Sequence, residues 1–129
     1  MKPGMAIGRQ ETIKIEVTEE MFASFEGTVV HPVYSTVAMV YHMEWVSRKI
    51  ILPFLEEHEE GMGAAVELKH ISPSPLHSFV SLTATLIEHK KEQVITKVEA
   101  FNEHGLIGKG EVKQVILPKE LIRKKLSII

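Results

Sequence analysis

Hydrophobic and polar side chains alternate over residues 11–17, with Ile13, Ile15 and Val17 on one face and Lys14 and Glu16 on the other. That two-residue period predicts a half-buried strand. Thr18 then stands ahead of Glu-Glu-Met-Phe, in position to cap a short helical turn. A stretch through Gly27 and Pro32 reads as a loop. Residues 36–55 follow as a helix that is apolar on nearly every side, with Ser35 or Thr36 at its start and Pro53 or the acidic run 56–60 at its end. From Gly63 the period returns to two. Strands are predicted over 63–70, 79–88, 93–102 and 106–117, and a short amphipathic helix over 118–126. Gly108 and Gly110 inside the last strand indicate a bulge or a close backbone approach.

The turns between these strands are of hairpin length, so neighbouring strands run antiparallel. A long helix that is apolar almost all round needs cover on nearly every side. The expected architecture is therefore α+β, a curved antiparallel sheet wrapped around one long central helix. The chain reads as a single domain, 1–129, with no repeat and no linker.

Composition narrows the function. The 129 residues suffice for one core, and 44% hydrophobic against 25% charged is the balance of a globular protein. A net charge of −2 gives neither a nucleic-acid footprint nor an acidic tail. No cysteine is present, which rules out disulfides, thiolate metal sites and a cysteine nucleophile. No run reaches the roughly 18 apolar residues of a membrane span. The opening MKPGMAIG lacks the apolar core of a signal peptide, so a cytoplasmic protein is expected.

Against this background Glu44 stands out as the one acidic residue between Glu26 and Glu56, in the middle of the apolar helix. An ionised carboxylate in an apolar site is costly unless paired or hydrogen-bonded. Thr36 lies eight residues earlier, about two turns away, so hydroxyl and carboxylate share one stripe that is predicted to face a cleft. His70 ends the strand after the helix, and histidine is the natural proton carrier near neutral pH. Of the seven histidines, His58, His77, His89 and His104 fall in loops or turns and read as solvated, while His31 and His42 carry no assignment. No HExxH-type spacing supports a metal site, and none is expected. Trp45 reads as core, the run Arg123-Lys-Lys125 as the wet face of a terminal helix, and the acidic run 56–60 as a solvated helix end.

Taken together, these residues match a known pattern. The opening MKPGMAIG, the helix STVAMVYHMEW at 35–45, Leu55, the Gly61-Met-Gly63 segment and the strand ending Lys69-His70 resemble the hotdog-fold acyl-CoA thioesterases, in the branch of fluoroacetyl-CoA thioesterase. The resemblance implies a catalytic triad of Thr36, Glu44 and His70, with Gly63 at the acyl pocket. It implies no cofactor, and an acyl-CoA substrate bound at the interface of a homodimer or dimer of dimers, so that the triad could be completed across two chains. The segment Val29-Val30-His31-Pro32-Val33-Tyr34 lacks the phenylalanine of the fluoroacetyl-specific lid, so a generic short-chain acyl-CoA is the expected substrate. Neither nucleic acid nor membrane is expected as a partner. The residues leave open whether Thr36, Glu44 or water attacks the thioester, and a non-catalytic acyl-CoA or metabolite-binding module is the alternative.

Overall fold

The computed structural model describes residues 1–128. Strand β1 (Gln10–Glu16) leads through a 3-10 turn (Glu19–Met21) into a hairpin of β2 (Phe22–Phe25) and β3 (Thr28–Tyr34). Helix α1 (Thr36–Ile51) and a second 3-10 turn (Leu52–Phe54) follow. Then come β4 (Glu59–His70), β5 (Phe79–Lys90), β6 (Gln93–Asn102), β7 (Gly105–Pro118) and α2 (Lys119–Ile128). Five strands form one antiparallel sheet in the order β1-β5-β6-β7-β4, and β2-β3 stand apart as a two-stranded ribbon.

Helix α1 lies on one face of the sheet. Met39, Met43, Val46 and Ile50 are fully buried there with Leu82, Ala84, Val98 and Val112. Two polar side chains in this layer are satisfied locally: Thr96 donates to the Ser47 hydroxyl at 2.7 Å, and the Gln114 amide donates to the Ser47 carbonyl at 3.0 Å. The helix passes close to β7 at Gly108, where a Cβ would stand 2.5 Å from the Met39 sulfur. Gly108 pairs with Ala100 and His70, and the β6-β7 register shifts at the adjoining step, between Ala100 and Phe101. Close approach and a bulge-like irregularity therefore occur together here. A second register shift near the site lies in β4, between Gly63 and Ala65.

Several expectations are corrected. The segment through Gly27 and Pro32 is a hairpin and not a loop. Glu26 and Gly27 both take positive φ (50° and 80°), which suits a primed two-residue turn, but Glu-Gly is not the usual sequence signal for one. Pro32 is tolerated because a two-stranded ribbon consists of edges. The helix ends at Ile51 and not at residue 55, with Pro53 in the following 3-10 turn. Strand β4 begins at Glu59 instead of Gly63, so the acidic run is not a solvated helix end. Glu60 pairs with Arg48, and Glu59 accepts the Glu56 N–H at 3.0 Å. Most important for function, α1 is not enclosed on nearly every side. Val37 and Tyr41 are 75% and 65% exposed, so one flank of the helix is open within the chain. No helix among the described residues is long and apolar enough to cross a membrane.

The end of α1 is finished by a residue far away in sequence. Arg9 donates from Nε to the Ile50 carbonyl at 3.0 Å and from Nη2 to that of Lys49 at 3.3 Å, while its guanidinium lies over the Phe54 ring. Orphan carbonyls at a helix C-terminus favour such a cation. Arg9→Met keeps the stem and removes both bonds, and is expected to cost about 2 kcal/mol. A urea titration whose midpoint matches wild type would refute that assignment.

Candidate active site

Ser35, extended and just outside α1, accepts the Ala38 N–H on its side chain at 3.0 Å. Of the two possible caps the helix uses Ser35, which leaves the Thr36 hydroxyl free. That hydroxyl meets Nδ1 of His70 at 3.0 Å. The two residues are 34 positions apart, and the segment after His70 holds them together. Ser74 is fully buried; its carbonyl accepts the Tyr34 N–H at 2.9 Å and its hydroxyl accepts from the Asn102 side chain at 3.0 Å. Ser78 donates to Glu103 at 2.6 Å. This stitching ties the loop that leaves His70 to the strand that enters Thr36.

His70 is half-buried, and its Nε2 is enclosed with no hydrogen-bond partner among the described residues. Burial pushes the imidazole below its ordinary pKa, and the Ser72 backbone pulls weakly the other way. At neutral pH the ring is therefore the free base, the form that can take a proton.

Glu44 is exposed on the open flank of α1, in a cleft of about 260 Å³ with Tyr41, Trp45, Arg48, Gly63 and Gln114. Glu44 does face a cleft and is solvated in it, but Thr36, expected to face the same one, does not line it. Gly63 lies against Glu44: a Cβ on Gly63 would overlap the carboxylate Oε1. Gly63 does not open β4 but is its fifth residue, just before the register shift. Bulges of this kind commonly sit beside functional sites, where they re-aim the chain.

Two pairs are thus assembled, Thr36 with His70 and Glu44 with Gly63. Within one chain they occupy different clefts. Thr36 and His70 border a cleft of about 290 Å³ with His31, and Thr36 also borders a larger groove of about 700 Å³ between the β2-β3 ribbon and α1. Tyr41 lines both that groove and the Glu44 cleft, so its ring is the physical link between the pairs. Trp45 is 42% exposed and lines the Glu44 cleft, contrary to its reading as core. Sequence reasoning did not single out Tyr34, Tyr41 or Arg48, and left His42 unassigned. His42 is in fact buried against Tyr34, whose hydroxyl is 2.7 Å from its Nδ1. A tyrosine and a histidine flanking Thr36 were the available signal.

A five-stranded antiparallel sheet carrying one long helix, with a hydroxyl–imidazole pair and a carboxylate beside that helix, defines a hotdog-fold protein of the thioesterase superfamily. More narrowly, the chain belongs to the fluoroacetyl-CoA-specific thioesterase family, whose model matches residues 17–120. It is 27% identical over 131 residues to fluoroacetyl-CoA thioesterase of Streptantibioticus cattleyicolor, covering 97% of this chain and 94% of the relative. Among solved structures, a Thermus thermophilus hypothetical protein of the thioesterase superfamily is 42% identical at a TM-score of 0.93, covering 97% of this chain and 93% of that one. A mutant of the fluoroacetyl-CoA-specific thioesterase in complex with fluoroacetate and CoA is 25% identical at a TM-score of 0.85, covering 92% and 99%. The protein is accordingly a thioester hydrolase acting on acyl-CoA.

Proposed function

We propose that the protein hydrolyses a short-chain acyl-CoA to the free acid and CoA through Thr36, His70 and Glu44, with Gly63 at the acyl pocket. The observation that carries this reading is the Thr36 hydroxyl held 3.0 Å from Nδ1 of an imidazole that burial keeps unprotonated. His70 accepts a proton through that nitrogen, either from Thr36 as it attacks the thioester carbonyl or from a water in its place. The same proton is returned to the departing CoA sulfur. Where Thr36 attacks, water then cleaves the acyl-Thr36 ester, with His70 passing its proton back to the Thr36 oxygen. On either route thioester and water become acid and thiol. Ser35 occupies the Ala38 N–H, while the N–H groups of Thr36 and Val37 have no partner among the described residues. These groups, at the positive end of the α1 dipole, suit the developing oxyanion.

Glu44 joins the Thr36–His70 pair when a second copy covers the open flank of α1, and Val37, Tyr41 and Met62 supply exposed apolar surface for that contact. The working unit in this reading is a cytoplasmic homodimer or dimer of dimers. The CoA and fluoroacetate held by the solved relative support an acyl-CoA ligand. Discrimination in favour of a fluorinated acyl group is not expected here, because the β3 segment has valines and no phenylalanine.

The test is thiol release from acetyl- through hexanoyl-CoA and one aryl thioester, recorded from pH 5 to 9. Turnover is expected with a short acyl group. Because burial lowers the His70 pKa, kcat/KM should stay flat through neutrality and fall only on the acid side, with a midpoint below the ordinary histidine value of about 6.5. An acid limb centred above 7 would exclude His70 as the base.

A further inference from the structure

Behind the Thr36–His70 pair lies a buried polar pair that the proposed reaction does not use. Tyr34 is fully buried and His42 is 4% exposed. Their rings stack at 5.7 Å with 16° between planes, and the Tyr34 oxygen is 2.7 Å from His42 Nδ1. Burial pushes the phenol pKa up and the imidazole pKa down, so both groups are neutral. The phenol has no other hydrogen-bond partner among the described residues. One arrangement therefore satisfies both groups: the Tyr34 hydroxyl donates and His42 Nδ1 accepts, with the His42 proton on Nε2.

The other face of this pair is what matters for the reaction. The Tyr34 ring meets the His70 ring nearly edge to face, at 6.1 Å and 71°. Tyr34 is also pinned through its backbone to Ser74, in the loop that leaves His70. A half-buried imidazole with one enclosed nitrogen lacking a hydrogen-bond partner and one bond to an exposed hydroxyl has little of its own to hold the orientation of its ring. A ring flip about Cβ–Cγ would put Cδ2, a carbon that cannot take a proton, where Nδ1 now faces Thr36. The flip must sweep past the Tyr34 ring, and that ring cannot yield while its hydroxyl is anchored on His42.

We propose that Tyr34, anchored by His42, is the positioning residue that holds the His70 imidazole with Nδ1 on the Thr36 hydroxyl. Tyr34 is fully buried and acts through His70. A plain apolar pair would fill the same volume without burying two polar groups, which a core tolerates only when they are mutually satisfied. The inference rests on His70 being the proton carrier of the proposed reaction.

The test compares wild type, Tyr34→Leu and Tyr34→Phe, each checked for folding by thermal melting, and reads the ring ¹⁵N shifts of His70 by NMR beside CoA release. Wild type should show one fixed tautomer. Tyr34→Leu removes the wall and should give exchange-averaged ring shifts, with kcat down about tenfold or more and KM within about twofold, the pattern of lost orientation. Tyr34→Phe keeps the ring and loses only the anchor, and should fall between wild type and Tyr34→Leu in both the ring shifts and kcat. A folded Tyr34→Leu with the wild-type tautomer and kcat would overturn the proposal. The ¹⁵N readout decides positioning even if wild type releases no CoA, a result that would count against the proposed reaction instead.

Discussion

His70→Leu should lower kcat/KM by about 10²–10⁴-fold and leave the protein at least as stable as wild type, the usual scale for losing a positioned acid–base group. The activity loss follows from removing the group 3.0 Å from the Thr36 hydroxyl. The stability expectation follows from the other nitrogen. Nε2 is enclosed without a partner among the described residues, and an unsatisfied buried polar atom costs about 1–3 kcal/mol. Leucine is close to imidazole in volume and removes that cost. Thr36 is exposed, so water replaces its lost partner. Against this stands the edge contact with Tyr34, worth roughly 0.5–1.5 kcal/mol. The two nearly cancel or favour the variant. CoA release and urea melts on the same preparation decide it. A variant that is both inactive and destabilised by more than about 2 kcal/mol would show the imidazole to be a structural element of the loop junction.

Gly63→Val should cost a similar factor in turnover while sparing the fold. The added side chain would occupy the space of the Glu44 Oε1. The cheapest relief is rotation of the Glu44 side chain, which is exposed and moves without disturbing the core. Gly63 is itself exposed and has a negative φ, so valine brings no backbone strain and suits a strand. The loss should therefore be in kcat, by about 10²-fold or more, with melting within about 1 kcal/mol of wild type. Gly63→Ala tests the same contact with a smaller intrusion and should fall between. If Gly63→Val turns over normally, Glu44 does not need its present position, and its place in the reaction falls with it.

The contrast between these two sites bears on how the protein is built. The end of β4 at His70 is fixed by tertiary contacts: the Ser74 and Ser78 hydrogen bonds of the loop that follows it, the Tyr34 ring and the β7 ladder at Gly108. Glu44 is fixed by its helix alone and faces an open cleft. In the proposed reading one half of the site is complete in the single chain. The other awaits a second copy.

What the sequence by itself determined is what local periodicity encodes. The alternation of Ile13, Ile15 and Val17 set β1, and the apolar run after Ser35 set α1. The short turns between strands set an antiparallel β5-β6-β7 meander. The choice of Thr36, Glu44 and His70 came equally from local logic, polar groups placed where a buried pattern made them costly, sharpened by the family resemblance. The tertiary structure alone decided which of them touch. Thr36 and Glu44 share a helix stripe, yet Thr36 is paired with a residue 34 positions away, because β4 runs back along α1 and the Ser74 junction clamps its end. The β2-β3 hairpin stayed hidden because the first residue of its turn is Glu26, which gives no local signal for the positive φ it adopts. The early start of β4 stayed hidden because Glu59 and Glu60 look solvated until Glu56 and Arg48 are seen to meet them. The Tyr34–His42 pair was illegible for the same reason: a buried hydrogen bond between side chains is a property of packing, and packing is non-local.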